Sequence, residues 1–114
     1  MFNQINKMKM NPKTIQIKKH PFGKGFLAIN LFGVIFTLRD LDQTELNHEL
    51  IHSVQQRELL YIPFFIWYGI EWVALYFKYR DWIIAYRNIR FEKEAYRHEK
   101  DMTYLNKRKH YNYS

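Results

Sequence analysis

The 114-residue chain has no cysteine, only four glycines and three prolines, and eleven acidic residues against eighteen basic ones. Without thiols there are no disulfides, no thiolate ligands and no thiol nucleophile, so a metal here has to be held by His, Asp or Glu. The same absence fits a reducing, cytoplasmic setting. With no low-complexity tract and no internal repeat, nothing divides the chain, and residues 1–114 read as a single domain. The first twenty residues, MFNQINKMKMNPKTIQIKKH, also lack the apolar stretch and small-residue cleavage site of a secretory leader.

What is present is apolar and basic. With 47% hydrophobic and 18% aromatic residues, the chain can bury a modest core. The net charge of +7 draws acidic partners. However, the basic residues are scattered over both ends and the aromatics read as core rather than as a stacking platform, so no nucleic-acid partner is expected.

Local patterns give an α+β order, with two or three strands followed by three helices. TIQIKK alternates from Thr14 as a short strand, and HPFGKGF interrupts it with Pro21, Gly23 and Gly25. FLAINLFGVIFTL reads as one long strand, bulged or bent at Gly33. Asp42 with Glu45 three positions on resembles a capping box and announces a helix through LNHELIHSVQQRELL, ended or kinked at Pro63.

A second helix should run from Pro63 to Arg80, apolar enough to be buried nearly all round. Its segment LLYIPFFIWYGIEWVALYF, residues 59–77, has the length of a membrane span. Pro63, Gly69 and Glu71 weigh against spanning, which leaves a core helix or a membrane-associated element. A third helix is expected over FEKEAYRHEKDMTYL, and residues 1–13 and 106–114 are expected to be loosely ordered ends.

LNHELIHSVQQ carries the chemistry. On a helix, His48 and His52 lie about 40° apart in azimuth and roughly 6 Å apart along the axis, so both imidazoles can reach one ion. Glu49 stands beside that ion without ligating it, where a carboxylate serves as general base. A chance HExxH in a chain of this length is a matter of roughly a few in a thousand.

The motif resembles that of the HExxH zinc metallopeptidases, specifically the gluzincins, whose third ligand is a Glu on a later helix. The metzincin pattern fails because Gln55 and Glu58 stand where it requires Gly and His. The resemblance implies a small zincin-like domain, one zinc, a peptide or protein substrate, and hydrolysis of a peptide bond with Glu49 as base. FEKEAYRHE is similar to the ExxAD segment of gluzincins related to prenyl-protein endopeptidases, with Glu92 at the ligand position and Ala95 matching. Tyr96 replaces the Asp that in that family orients a zinc histidine.

Glu71, nineteen residues after His52, matches the ligand spacing of aminopeptidase-type gluzincins but lacks their flanking residues; its other reading is a carboxylate paired to Arg57 or Arg80. Glu94 is the remaining candidate. Tyr96, Tyr86 and Arg97 are candidate oxyanion donors. By the same resemblance, GVIFTL runs beside the cleft and binds an extended peptide, its plain reading being a core strand. His20, His98 and His110 are not expected to ligate. The expected set is therefore His48, His52 and Glu92 on zinc with Glu49 as base, against a zinc-binding protein without catalysis or a membrane-surface interaction protein.

Overall fold

A computed structural model describes residues 12–113. Strands β1 (Lys13–Gln16), β2 (Ala28–Leu31) and β3 (Val34–Thr37) form a sheet of order β1-β3-β2, with β1 parallel and β2 antiparallel to β3. Five helices follow: α1 (Gln43–Glu58), α2 (Ile62–Tyr79), α3 (Trp82–Asn88), α4 (Arg90–His98) and α5 (Tyr104–Lys107). The small α+β architecture is the expected one.

The single long strand expected around Gly33 is instead a tight hairpin. Phe32 and Gly33 both have positive φ, 58° and 85°, the pair of values a two-residue turn needs to match strand twist. The Gly33 N–H donates to Asn30 Oδ1 at 3.0 Å, closing the turn. Of the expected loose end 1–13, residues 1–11 lie outside the described residues, and Lys13 already belongs to β1.

Helix α1 starts where the capping box predicts. The Glu45 N–H donates to Asp42 Oδ1 at 2.8 Å, and Glu45 Oε1 accepts from the Asp42 N–H at 3.0 Å. Arg39 adds two bonds to the Glu45 carboxylate, at 2.9 and 2.7 Å. At the other end, Leu60 and Tyr61 adopt φ of 61° and 67°, and the chain turns by 114° into α2. The expected third helix is two, because it ends at His98 and resumes only at Tyr104. Asp81 starts the additional helix α3, its Oδ1 accepting from the N–H groups of Ile83 and Ile84.

Burial of the first two helices reverses what their composition suggests. Asn47 to Gln56, a largely polar run, is buried without interruption, whereas the far more apolar α2 buries only Phe64. The polar residues of α1 are tolerated inside because they are bonded: Asn30 Nδ2 donates to Glu49 O (2.8 Å) and Ser53 Oγ (2.7 Å), and Gln56 Nε2 to Asn30 O (2.7 Å). On one flank of α1, Leu50, Ile51 and Val54 pack with Ala95, Tyr104 and Leu105. A second cluster joins Phe64, Ile89 and Phe91.

Residues 106–113, expected as a loose end, are tied to the body of the chain at Arg108 and Tyr113. Arg108 is buried, with its guanidinium bonded to Glu94 and to Glu58 (2.7 and 3.1 Å), and Tyr113 Oη donates to Glu58 at 2.8 Å. Of the basic residues in this end, Arg108 alone enters a buried ion-pair network, because carboxylates from α1 and α4 meet it there, while Lys107, Lys109 and His110 stay exposed. Among the described residues no single helix is long and apolar enough to cross a membrane, although α1 and α2 pass that test as a bent pair.

Candidate metal centre

Helices α1 and α4 build the site. The one-turn spacing of His48 and His52 puts both Nε2 atoms on the α1 face that meets α4, 3.1 Å from each other. Glu92, in the first turn of α4, places Oε1 3.1 Å from His48 Nε2 and Oε2 3.1 Å from His52 Nε2. All three residues are buried, and together they are the one group among the described residues able to hold a metal ion. The 3.1 Å separations are close to the tetrahedral edge of about 3.3 Å that follows from ligand bonds of roughly 2.0–2.1 Å.

The surrounding hydrogen bonds decide what these atoms offer. Gln55 is fully buried, and its Nε2 donates to Phe91 O (3.0 Å) and Glu94 Oε1 (2.9 Å), so its Oε1 is the atom that faces His52 Nδ1 at 2.8 Å. An oxygen there accepts, so His52 Nδ1 carries the proton and Nε2 presents a lone pair. His48 is set the same way by the Glu99 carboxylate, 2.8 Å from its Nδ1. With each Nδ1 bonded outward, both Nε2 atoms are the ones turned to Glu92, 3.1 Å away, where they hold a proton or, once it is displaced, present a lone pair to a cation.

The electrostatics agree. Burial disfavours charge on His48, but the carboxylates of Glu92 and Glu99 outweigh it and push the imidazole up to about 10. His52, resisted by burial in the same way, is raised by Glu92. Burial also works against an ionised Glu92, yet the two histidines hold its carboxyl well below the usual range. The field that keeps protons on the imidazoles is the field that draws a metal ion.

Glu49 points elsewhere, as the spacing requires. It shares with His52 and Glu92 a cavity of about 320 Å³, whose other walls are mainly aromatic: Phe22, Phe26, Phe64, Phe65, Tyr68, Trp72 and Tyr86. Burial raises its carboxyl above the ordinary value. A second hollow, also bordered by Glu49, is lined by His48, Glu99, Tyr86 and Tyr96.

The competing ligands are excluded by their partners. Glu71 bonds Arg90 Nε with both oxygens, at 3.2 and 3.3 Å, and neither Arg57 nor Arg80 is its partner. Glu94 is committed to Gln55, Tyr104 and Arg108. His98 stacks on Tyr104, and His110 lies 2.9 Å from Glu58. His20 is buried, with Nε2 2.9 Å from Ala28 O.

Two readings tied to the resemblance are settled by the contacts, the plain core-strand reading of GVIFTL among them. Tyr96 does not orient a histidine by hydrogen bonding; its ring packs edge-on against His48 with centroids 4.5 Å apart, and Glu99, one turn later, bonds the ring nitrogen. Strand β3 of GVIFTL is central, hydrogen-bonded on both sides, and cannot accept a peptide. The edges are β1 and β2, and on β2, the edge strand that lines the cavity, the outward carbonyls of Ala28 and Asn30 are already taken by His20 and Gln56. Of the oxyanion candidates, Tyr86 borders both hollows and Tyr96 one, while Arg97 is exposed and borders neither.

Gln55, Glu99 and Tyr68 were missed by sequence reasoning. Tyr68 Oη donates to Glu92 Oε2 at 2.6 Å and holds the carboxylate in place. Gln55 lies three residues after His52, within one turn of it on α1, and Glu99 seven after Glu92, on the same side of α4 that Glu92 turns to the histidines. For Tyr68, on a different helix, no local signal exists. Comparison of the chain with protein-family models, with curated proteins and with solved structures gives no match to any of them.

Proposed function

We propose that this chain is a zinc-dependent peptidase of gluzincin type, with zinc on His48, His52 and Glu92 and with Glu49 as general base. The supporting observation is the convergence of two buried imidazole Nε2 atoms and a buried carboxylate beside a cavity that also holds the Glu49 carboxyl. Imidazole and carboxylate donors at this spacing suit zinc, and three protein ligands leave room for substrate or water. When bound, zinc supplies a Lewis acid that polarises a carbonyl and acidifies water.

The chain's own residues do the rest. Gln55 and Glu99 keep both histidines in the ligating tautomer, and Tyr68 orients Glu92. As water oxygen attacks the carbonyl carbon, Glu49 accepts its proton and then delivers it to the departing amide nitrogen. The C–N bond breaks, leaving a carboxylic acid and an amine. The raised Glu49 carboxyl suits this exchange, because a base nearer neutrality both takes and returns a proton readily. The aromatic cavity favours an apolar side chain next to the scissile bond. With the β2 carbonyls occupied, substrate is held by that cavity rather than by strand addition.

Glu49→Gln is expected to keep one zinc per chain, by elemental analysis, while losing hydrolysis of apolar peptides. His52→Ala and Glu92→Gln should lose the metal, and Glu71→Gln should lose neither metal nor activity. Glu49→Gln turning over substrate like the parent would end the peptidase proposal. The occupied β2 edge favours a second reading, a zinc-binding protein without catalysis; metal bound at full stoichiometry with no hydrolysis of any peptide by the parent would support it.

A further inference from the structure

One face of α2 is turned to solvent along its length. Ile62, Ile66, Ile70, Val73 and Phe77 follow one another at steps of four, four, three and four residues, which is a single helical stripe, and each is between 47% and 66% exposed. Leu60, at 77%, adds exposed apolar surface before the start of the helix, and Trp82, whose ring stacks on Tyr76, and Ile84 add more from α3 beside it. The opposite side of the same helix supplies Phe64, Phe65, Tyr68 and Trp72 to the cavity wall. The outer apolar stripe is therefore not a by-product of lining the site. A contiguous apolar surface of this extent marks a place where something else is bound.

The charge around it narrows what that is. Arg80 lies over the Phe77 ring, 5.6 Å from its centroid, and Lys78 precedes it by two residues. A Cβ added at Gly25 would stand 3.0 Å from Ile83 Cδ1, so the loop carrying Lys24 comes against α3. None of Lys24, Lys78 and Arg80 takes part in an ion pair among the described residues. The nearby carboxylates are both spent: Glu71 on Arg90, and Asp81 on the N–H groups that begin α3. Aromatic residues with polar edges, Trp67, Tyr79 and Trp82, are exposed along the flanks.

We propose that the α2–α3 face seats the protein on an anionic phospholipid bilayer, with the isoleucine stripe in the acyl boundary and Lys24, Lys78 and Arg80 on the headgroups. An apolar face with amphipathic rings at its margins and unpaired cations at its end has the composition of an interfacial helix. A second copy of the chain fits less well. In a two-fold contact the cations at the end of one copy's stripe would find no free carboxylate on the other, since Glu71 and Asp81 are both engaged, in a chain of net charge +7. Docked on lipid, α2 lies between the bilayer and the metal centre, which stands off by about one helix diameter, roughly 10–12 Å.

The test is vesicle flotation of the full chain, in parallel on phosphatidylcholine alone and on phosphatidylcholine with phosphatidylglycerol. The parent should float with the anionic vesicles, less with the neutral ones, and be released as salt is raised. The double variant Ile66→Glu/Ile70→Glu replaces exposed side chains and should keep its fold and its metal while losing flotation. Lys78→Glu/Arg80→Glu should weaken binding to anionic vesicles by about fivefold or more per lost cation and flatten the salt dependence. Its exposed positions make it an independent reading should the first variant fail to fold.

Absence of flotation on anionic vesicles overturns the proposal, as does equal flotation of the Ile66→Glu/Ile70→Glu variant. It is also overturned if light scattering finds the parent dimeric and that variant monomeric, because a second copy then covers the face. None of these readouts depends on hydrolysis, so the membrane proposal and the peptidase proposal stand or fall separately.

Discussion

Replacing Gln55 separates the two jobs its amide does. Its Nε2 satisfies Phe91 O and Glu94 Oε1, and its Oε1 fixes the tautomer of His52. Gln55→Leu removes all three bonds from a site with no access to water. Loss of a partner that orients a metal histidine weakens metal binding about 10- to 100-fold, or about 1.4–2.7 kcal/mol. Glu94 Oε1 keeps Arg108 Nη2 at 3.2 Å, so the loss falls mainly on the His52 Nδ1–H and Phe91 O, and at about 1 kcal/mol or more each it lowers folding stability by about 2 kcal/mol.

Gln55→Glu is the discriminating companion. It keeps an acceptor for His52, so zinc affinity should stay at or above that of the parent. The new carboxylate replaces a donor to Glu94 Oε1 and faces that charge directly, so stability should still fall. Affinity is read by competition with a chromophoric chelator, and stability by urea unfolding of the metal-free protein. If Gln55→Leu binds zinc as tightly as the parent, Gln55 does not set the His52 tautomer and the lone-pair argument for the site fails.

Two further outcomes follow from the ion pairs. Arg108→Met leaves Glu94 and Glu58 without their shared cation in a buried setting, and should destabilise by about 3–5 kcal/mol in denaturant titration; a change under about 1 kcal/mol would show that the tail is not held as described. Asp101 is drawn down to about 2, first by Lys107 at 2.9 Å and then by the hydroxyl and N–H of Thr103. A depressed carboxyl contributes stability that is complete above its unfolded value and lost as pH falls through about 2. Carboxyl NMR titration should find that low midpoint, and Lys107→Ala should move it up toward the ordinary 3.8; an unmoved midpoint would remove Lys107 as the cause.

Legibility in the sequence followed the range of the interactions. The α1 start was readable because Asp42 and Glu45 satisfy each other within one turn. The histidine pair was readable because helical periodicity alone aligns residues 48 and 52. Glu92 came from its likeness to a motif rather than from physics, and Glu71 and Glu94 stayed open beside it until their partners, Arg90 and Arg108, came into view. The hairpin at Gly33 was misread because a run of apolar residues does not show where two adjacent residues take positive φ.

By itself the sequence determined the class of the domain, the helix that carries the histidines, their common face, and the absence of thiolate from any metal site. Each of these depends on neighbours within a few residues or on composition. Only the tertiary structure decided that Glu92 closes the cluster, that Gln55 and Glu99 set the histidine tautomers, that Arg108 is buried, and that the polar α1 lies inside while the apolar α2 faces outward. Burial of polar residues depends on bonding partners from distant segments, and the exposure of an apolar face depends on which surfaces the rest of the chain covers. A linear pattern encodes neither.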